Sequence, residues 1–200
     1  MMSPRFEMEP VTASATGEYS QPERELLLRL AHLSIEAALA GRRLDLTAPS
    51  PHLDEMRGVF TTLRVQGRLR GCIGYLVPSH SLYWTVAETA QAAAFEDPRF
   101  QPVTAEEAPD LSVEISVLLP PQPIRPEDVV IGVHGLIVAK GNRRGLLLPQ
   151  VPVEWHWDRE TFLSQTCLKA GLAPDAWTQG ADLQGFTAEV FGEEAFTRPE

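Results

Sequence analysis

Cys72 stands in Arg68-Leu69-Arg70-Gly71-Cys72-Ile73-Gly74, a thiol with glycine on its N-terminal side, a second glycine two positions on, and two arginines shortly before it. Glycine carries no Cβ, so it leaves the approach to a neighbouring side chain open, and nearby positive charge favours thiolate over thiol. That pattern suits a nucleophile, whereas a structural cysteine is a small buried apolar residue. Cys167 falls on the apolar face of an expected helix and reads as core. A nucleophilic thiol needs a base within hydrogen-bond reach. His134, in Val133-His134-Gly135, and Glu114, on the polar side of an alternating strand with Ser112 and Ser116, are the catalytic partners considered, with Glu88 and Asp97 as further acids. Each has a structural reading: a turn histidine for His134, a solvated strand face for Glu114. Asp97-Pro98-Arg99 reads either as a helix terminator with a capping acid or as a preset acid–base pair lining a cleft.

Other chemistries lack their residues. The five histidines are scattered, the two cysteines are far apart, and no metal site or disulfide framework is expected. No dinucleotide fingerprint, phosphate-binding loop, nucleophile elbow or radical-cluster cysteine triplet is present, so no cofactor is assigned. Val153-Glu154-Trp155-His156-Trp157-Asp158 concentrates aromatics before a helix, where they serve as packing anchors or as an exposed binding patch.

The elements that must position these residues follow from periodicity. Residues 1–19 have no sustained apolar period and are expected to form a mobile leader, with a single domain over 20–200. Ser20 and Glu23 form a capping box, Leu27, Leu30, Ala31 and Ala37 recur at helical spacing, and Gly41 stops a helix over 21–40. Val59–Val65 alternates as a strand, Gln66-Gly67 turns, and Arg68–Tyr75 returns, with alternation placing Arg68, Arg70 and Cys72 on one face. Ser81 caps a helix to Phe95, Thr104 and Glu107 suggest a single helical turn, and Leu111–Leu119 is a half-buried strand. A second hairpin turns at Gly141-Asn142, Asp158 caps a helix to Ala170, and Phe186, Ala188 and Val190 mark one last strand. Strands joined by hairpins imply an α+β fold with a largely antiparallel sheet flanked by helices. Gly67-Arg68-Leu69-Arg70-Gly71 and Gly141-Asn142-Arg143-Arg144-Gly145 echo each other, as a duplicated hairpin-plus-helix unit would.

The 200 residues are 44% hydrophobic and 22% charged, which is ordinary globular usage. Seventeen basic against 27 acidic residues give a net charge of −10, which disfavours nucleic acid and anionic membrane unless arginines 64, 68, 70, 143 and 144 gather on one face. No signal-like or 18-residue apolar run occurs, so a cytoplasmic location away from membranes is expected.

The segment Leu69–Gly74 (LRGCIG) resembles the signature of the AMMECR family. Phe95–Phe100, Leu111–Leu118, Gly132–Val138, Gly145–Val151, Cys167–Leu172 and Phe186–Phe191 resemble its other blocks in the same order, spanning 20–192. The resemblance implies an antiparallel sheet with flanking helices, a smaller subdomain, and the signature segment near the cleft between them. It carries no established catalytic mechanism. It also implies a component acting with Memo-like and radical SAM proteins. Two functions are therefore expected. In the first, a binding module, Arg70, Gly71, Ile73, Gly74, Asp97 and Arg99 contact a small anionic ligand or peptide; in the second, Cys72 is the nucleophile of an enzyme acting on a small molecule or peptide.

Overall fold

The computed structural model describes residues 17–193. Helix α1 (Gln21–Leu39) opens on the expected box, with the Ser20 N–H donating to the Glu23 carboxylate at 2.8 Å. It closes where Gly41 takes φ +63°, a conformation that costs glycine little. Helix α2 (Leu82–Phe95) starts at Ser81, whose hydroxyl accepts the Trp84 N–H. Both helices cover one face of a sheet built from β1 (Val59–Val65), β2 (Arg68–Tyr75), β3 (Leu111–Leu118) and β8 (Ala188–Gly192), in the order β2-β1-β3-β8.

Alternation decides what that sheet buries. Val59, Thr61 and Leu63 of β1 and Val113, Ile115 and Val117 of β3 face the helices and are buried, while Phe60, Thr62, Arg64, Glu114 and Ser116 face away. Thr61 is tolerated in the core because its hydroxyl meets that of Thr89 at 2.8 Å, which in turn reaches the Thr85 carbonyl.

The remaining elements form an insertion between β3 and β8. Strands β4 (Gln122–Pro123), β5 (Gly135–Lys140), β6 (Arg143–Leu147) and β7 (Asp182–Phe186) make a second antiparallel sheet, order β4-β7-β5-β6, with α3 (Gln150–Glu154) and α4 (Arg159–Lys169) following β6. Leu136, Phe162 and Leu163 form the centre of this smaller unit, and Cys167 is buried beside Val138. The chain crosses between the units at residues 119–121 and at Thr187, and the two crossings touch where the Leu119 N–H donates to the Thr187 carbonyl at 2.8 Å. Leu118, Ile137 and Phe186, with Phe60, Leu146, Leu148 and Ala188 around them, pack one unit on the other.

Several expectations change. The last strand is two strands in different sheets: the apolar alternation runs unbroken through Phe186, Ala188 and Val190, but Thr187 carries the chain from one sheet to the next. Tyr19, placed in the leader, is 1% exposed, stacks on His52 and belongs to the main core, and Glu18 before it pairs with Arg57; residues 1–16 of that leader lie outside the described residues. The single turn expected at Thr104 and Glu107 forms, with their capping bonds exchanged across it and the Ala108 N–H closing it on the Thr104 carbonyl at 3.1 Å, and a 3-10 segment, Ala108–Asp110, follows it.

The two hairpins do behave alike. Gly71 on β2 lies against the end of α2, and Gly145 on β6 lies against the end of α4. A Cβ on Gly71 would overlap the Ala93 carbonyl group, and one on Gly145 would fall 2.7 Å from the Ala170 Cα, so each glycine lets a helix end settle directly on strand backbone.

Candidate functional site

One bulge places the thiol. The two-residue turn at Gln66-Gly67, both with positive φ, pairs Val65 with Arg68 and Arg64 with Leu69. The register then slips, so that Leu63 pairs with Gly71 and Arg70 is the extra residue. Without that slip Cys72 would stand opposite Thr61 and face the helices. With it, Cys72 stands opposite Thr62 on the other side of the sheet. The expected common face for Arg68, Arg70 and Cys72 fails for this reason.

Cys72 lies on β2, an edge strand, and its backbone is tied down from outside the sheet. Its N–H donates to Asp97 Oδ2 at 2.9 Å, and the Arg99 guanidinium donates to its carbonyl at 3.4 Å. Arg99 also donates to Asp97 at 2.7 and 3.0 Å. The Asp97 side chain is 2% exposed, and the Arg99 guanidinium, with the Cys72 and Arg99 N–H groups, holds its carboxyl well below the usual carboxylate range. An N–H aimed outward makes Thr62/Cys72 a non-hydrogen-bonded pair, in which facing side chains approach closely. The Thr62 hydroxyl accordingly donates to Cys72 Sγ at 3.3 Å.

The same face continues to Glu114, which pairs with Thr62 from β3. Cys72, Thr62 and Glu114 thus form a row across three strands. That row lies in a cleft of about 850 Å³ between the two units. Ser116, Phe60 and Arg64 complete its floor, while Val133 and Leu148 from the inserted unit and Gln150, Val153 and Glu154 of α3 form the opposite wall. Val133, Val153 and Val190 are each about half exposed at its sides. Burial pushes the Glu114 carboxyl up, against the opposing pull of the Arg64 charge.

The other candidates go elsewhere. His134 lies outside this cleft, its Nδ1 accepting the Val130 N–H at 3.0 Å, beside a different hollow that includes Asp128. Arg70 makes a two-pronged contact with Glu107, both bonds 3.1 Å, and does not line the cleft. Ile73 packs into the main core. The close approaches at Gly71 and Gly74 are internal, to the Ala93 carbonyl and the Phe60 ring. Arg143 bonds the Gly171 carbonyl and Arg144 lines a groove beside Met56, so the hairpin arginines do not gather in the cleft, whose lining holds Arg64 against Glu114 and Glu154. Thr62 is not singled out by the sequence, where the polar side of the β1 alternation is its signal; Ser116 and Glu154 stand there only beside Glu114 and within the Val153–Asp158 aromatic stretch. Among the described residues no cluster of three or more His, Cys, Asp or Glu could hold a metal, and no helix is long and apolar enough to cross a membrane.

A helix-backed antiparallel sheet, interrupted before its edge strand by a second sheet and bearing a thiol in the intervening cleft, is an α+β protein with an inserted subdomain. The chain belongs to the AMMECR1 family, whose profile matches residues 28–191. A protein of Thermococcus gammatolerans is 49% identical, the alignment covering 85% of this chain and 90% of that one. A protein of Methanothermobacter thermautotrophicus is 45% identical, with 88% and 96% covered. The crystal structure of uncharacterized protein PH0010 from Pyrococcus horikoshii is similar with a TM-score of 0.64 and 46% identity, covering 85% of this chain and 91% of that one.

Proposed function

We propose that this protein is a binding component whose cleft holds a small ligand or a peptide segment, and that it acts with Memo-like and radical SAM proteins. The cleft itself carries the reading. Its floor is a sheet whose thiol-bearing strand is held at Cys72 by Asp97 and Arg99, and its sides leave valines half exposed where a partner would cover them. One arginine set against two glutamates supports a neutral or zwitterionic ligand better than the anion that arginine-rich hairpins suggest. Net charge −10 and dispersed arginines continue to disfavour nucleic acid.

The test is association of the purified chain with Memo-like and radical SAM proteins, followed by calorimetry. Ser116→Trp, which fills the cleft floor, should abolish binding while the circular dichroism spectrum stays native. Binding indifferent to Ser116→Trp, or no association by the parent chain, overturns the proposal.

A second reading is favoured by one contact, the Thr62 hydroxyl on Cys72 Sγ: the protein is a cysteine-dependent enzyme with Cys72 as nucleophile. Cys167 is no rival, since it is buried and burial pushes its thiol up. Cys72→Ser separates the readings: partner association survives it under the first, and covalent capture of an electrophile in the cleft is lost under the second.

A further inference from the structure

The centre of the cleft floor brings three complementary groups together. Cys72, Thr62 and Glu114 stand opposite one another on β2, β1 and β3, and two strand spacings put about 10 Å between the outer Cα atoms. Thr62 in the middle is short, which leaves room above it for one small molecule to touch both the sulfur and the carboxyl. The sulfur is preorganised because Asp97 and Arg99 fix the Cys72 backbone. The Thr62 hydroxyl bond to Sγ strengthens when the sulfur is a thiolate. Glu114, partly buried, keeps its proton to higher pH than an exposed glutamate, as a general acid must.

We propose that this row is a thiol site for small neutral carbonyl compounds, aldehydes or ketones, with Cys72 as the adding nucleophile, Thr62 as the residue that positions and stabilises its thiolate, and Glu114 as the acid. The proposal rests on the second reading above. The thiolate adds to the carbonyl carbon, so one C–S bond forms. The π pair of the C=O bond moves to oxygen, which takes the proton of Glu114. The product is a hemithioacetal, and the reverse transfer releases the carbonyl compound without any oxidant or reductant.

Alkylation of Cys72 by iodoacetamide, followed by mass spectrometry from pH 5 to 10 on the full chain, tests the row, with propanal as the carbonyl probe. Thr62→Val, which removes the hydroxyl from Sγ, should make alkylation of Cys72 at pH 7 roughly tenfold slower, and Thr62→Ser should restore it. Propanal should protect Cys72 reversibly, and Glu114→Gln should slow the onset of protection at least about tenfold. If Cys72 in the parent chain reacts no faster than Cys167, the second reading falls and takes this proposal with it. If Cys72 reacts fast but the Thr62→Val profile superimposes on the parent, or propanal protection is absent or indifferent to Glu114→Gln, the row is wrong while the reactive thiol stands.

Discussion

Removing Asp97 should loosen the strand that carries Cys72. Its carboxylate accepts the Cys72 N–H, the Arg99 N–H and the Arg99 guanidinium while almost fully buried. In Asp97→Ala the Cys72 N–H loses its acceptor on a part-buried edge strand, a cost of about 1–3 kcal/mol. The lost ion pair adds little, below about 1 kcal/mol, because Arg99 is 55% exposed and rehydrates. A total near 2–3 kcal/mol corresponds to a urea midpoint lowered by about 1 M for a chain of this size. Asp97→Asn keeps an acceptor for Cys72 but turns an amide N–H₂ toward the guanidinium, and should cost about 1–2 kcal/mol at pH 7. The native carboxyl titrates below the ordinary aspartate value of about 3.9, so its stabilisation is fully present above that value and drains as pH falls below it. The gap between the parent chain and Asp97→Asn should therefore be constant from pH 7 to about 5 and shrink by pH 3. Urea titrations at pH 7, 5 and 3 read this directly. An Asp97→Ala chain within 0.5 kcal/mol of the parent, or a gap unchanged at pH 3, would refute the assignment of Asp97 as the anchor of β2.

The glycines under the helix ends should be intolerant of a single methyl group. Gly71→Ala and Gly145→Ala each force a helix end off its strand and should cost about 1–3 kcal/mol in thermal or urea unfolding; melting temperatures equal to the parent's would show that the helices shift freely. His52 stacks on Tyr19 with ring centroids 4.8 Å apart and bonds Glu23 at 2.8 Å, and that bond raises its pKa. Its contribution is present below the ordinary imidazole value of about 6.5 and is lost as pH rises through the raised native value. His52→Gln should therefore destabilise more at pH 6 than at pH 9 in paired melts, and an equal effect at both would contradict the ion pair.

Local signals carried much of the fold. Ser20/Glu23, Ser81 and Asp158 mark helix starts that the structure keeps, and the hairpin turns at Gln66-Gly67 and Gly141-Asn142 are where glycine placed them. Helix α3 was not legible, being only five residues long with Pro152 inside it. The step at Thr187 left no mark either, because leaving one sheet for another keeps the period of two. At the site the decisive event is the slip beside Arg70, which turns Cys72 from the helices to the cleft; nothing in the alternation announces it, although Gly71 is where a bulge is tolerated. Asp97 and Arg99 were legible as a pair, but their bond to the Cys72 backbone depends on where α2 ends relative to β2. Glu114 was legible only as a polar residue on an apolar strand, and its place in the row depends on the pairing of β1 with both neighbours.

The most direct test of the cleft is the ratio of iodoacetamide labelling rates at Cys72 and Cys167 in the native chain at neutral pH, with and without Ser116→Trp. Cys72 should react at least about 100-fold faster, because the buried Cys167 waits on an opening that costs about 3 kcal/mol or more. Ser116→Trp should slow Cys72 and leave Cys167 unchanged. Equal rates, or a Cys72 rate untouched by Ser116→Trp, would contradict an accessible cleft with Cys72 on its floor.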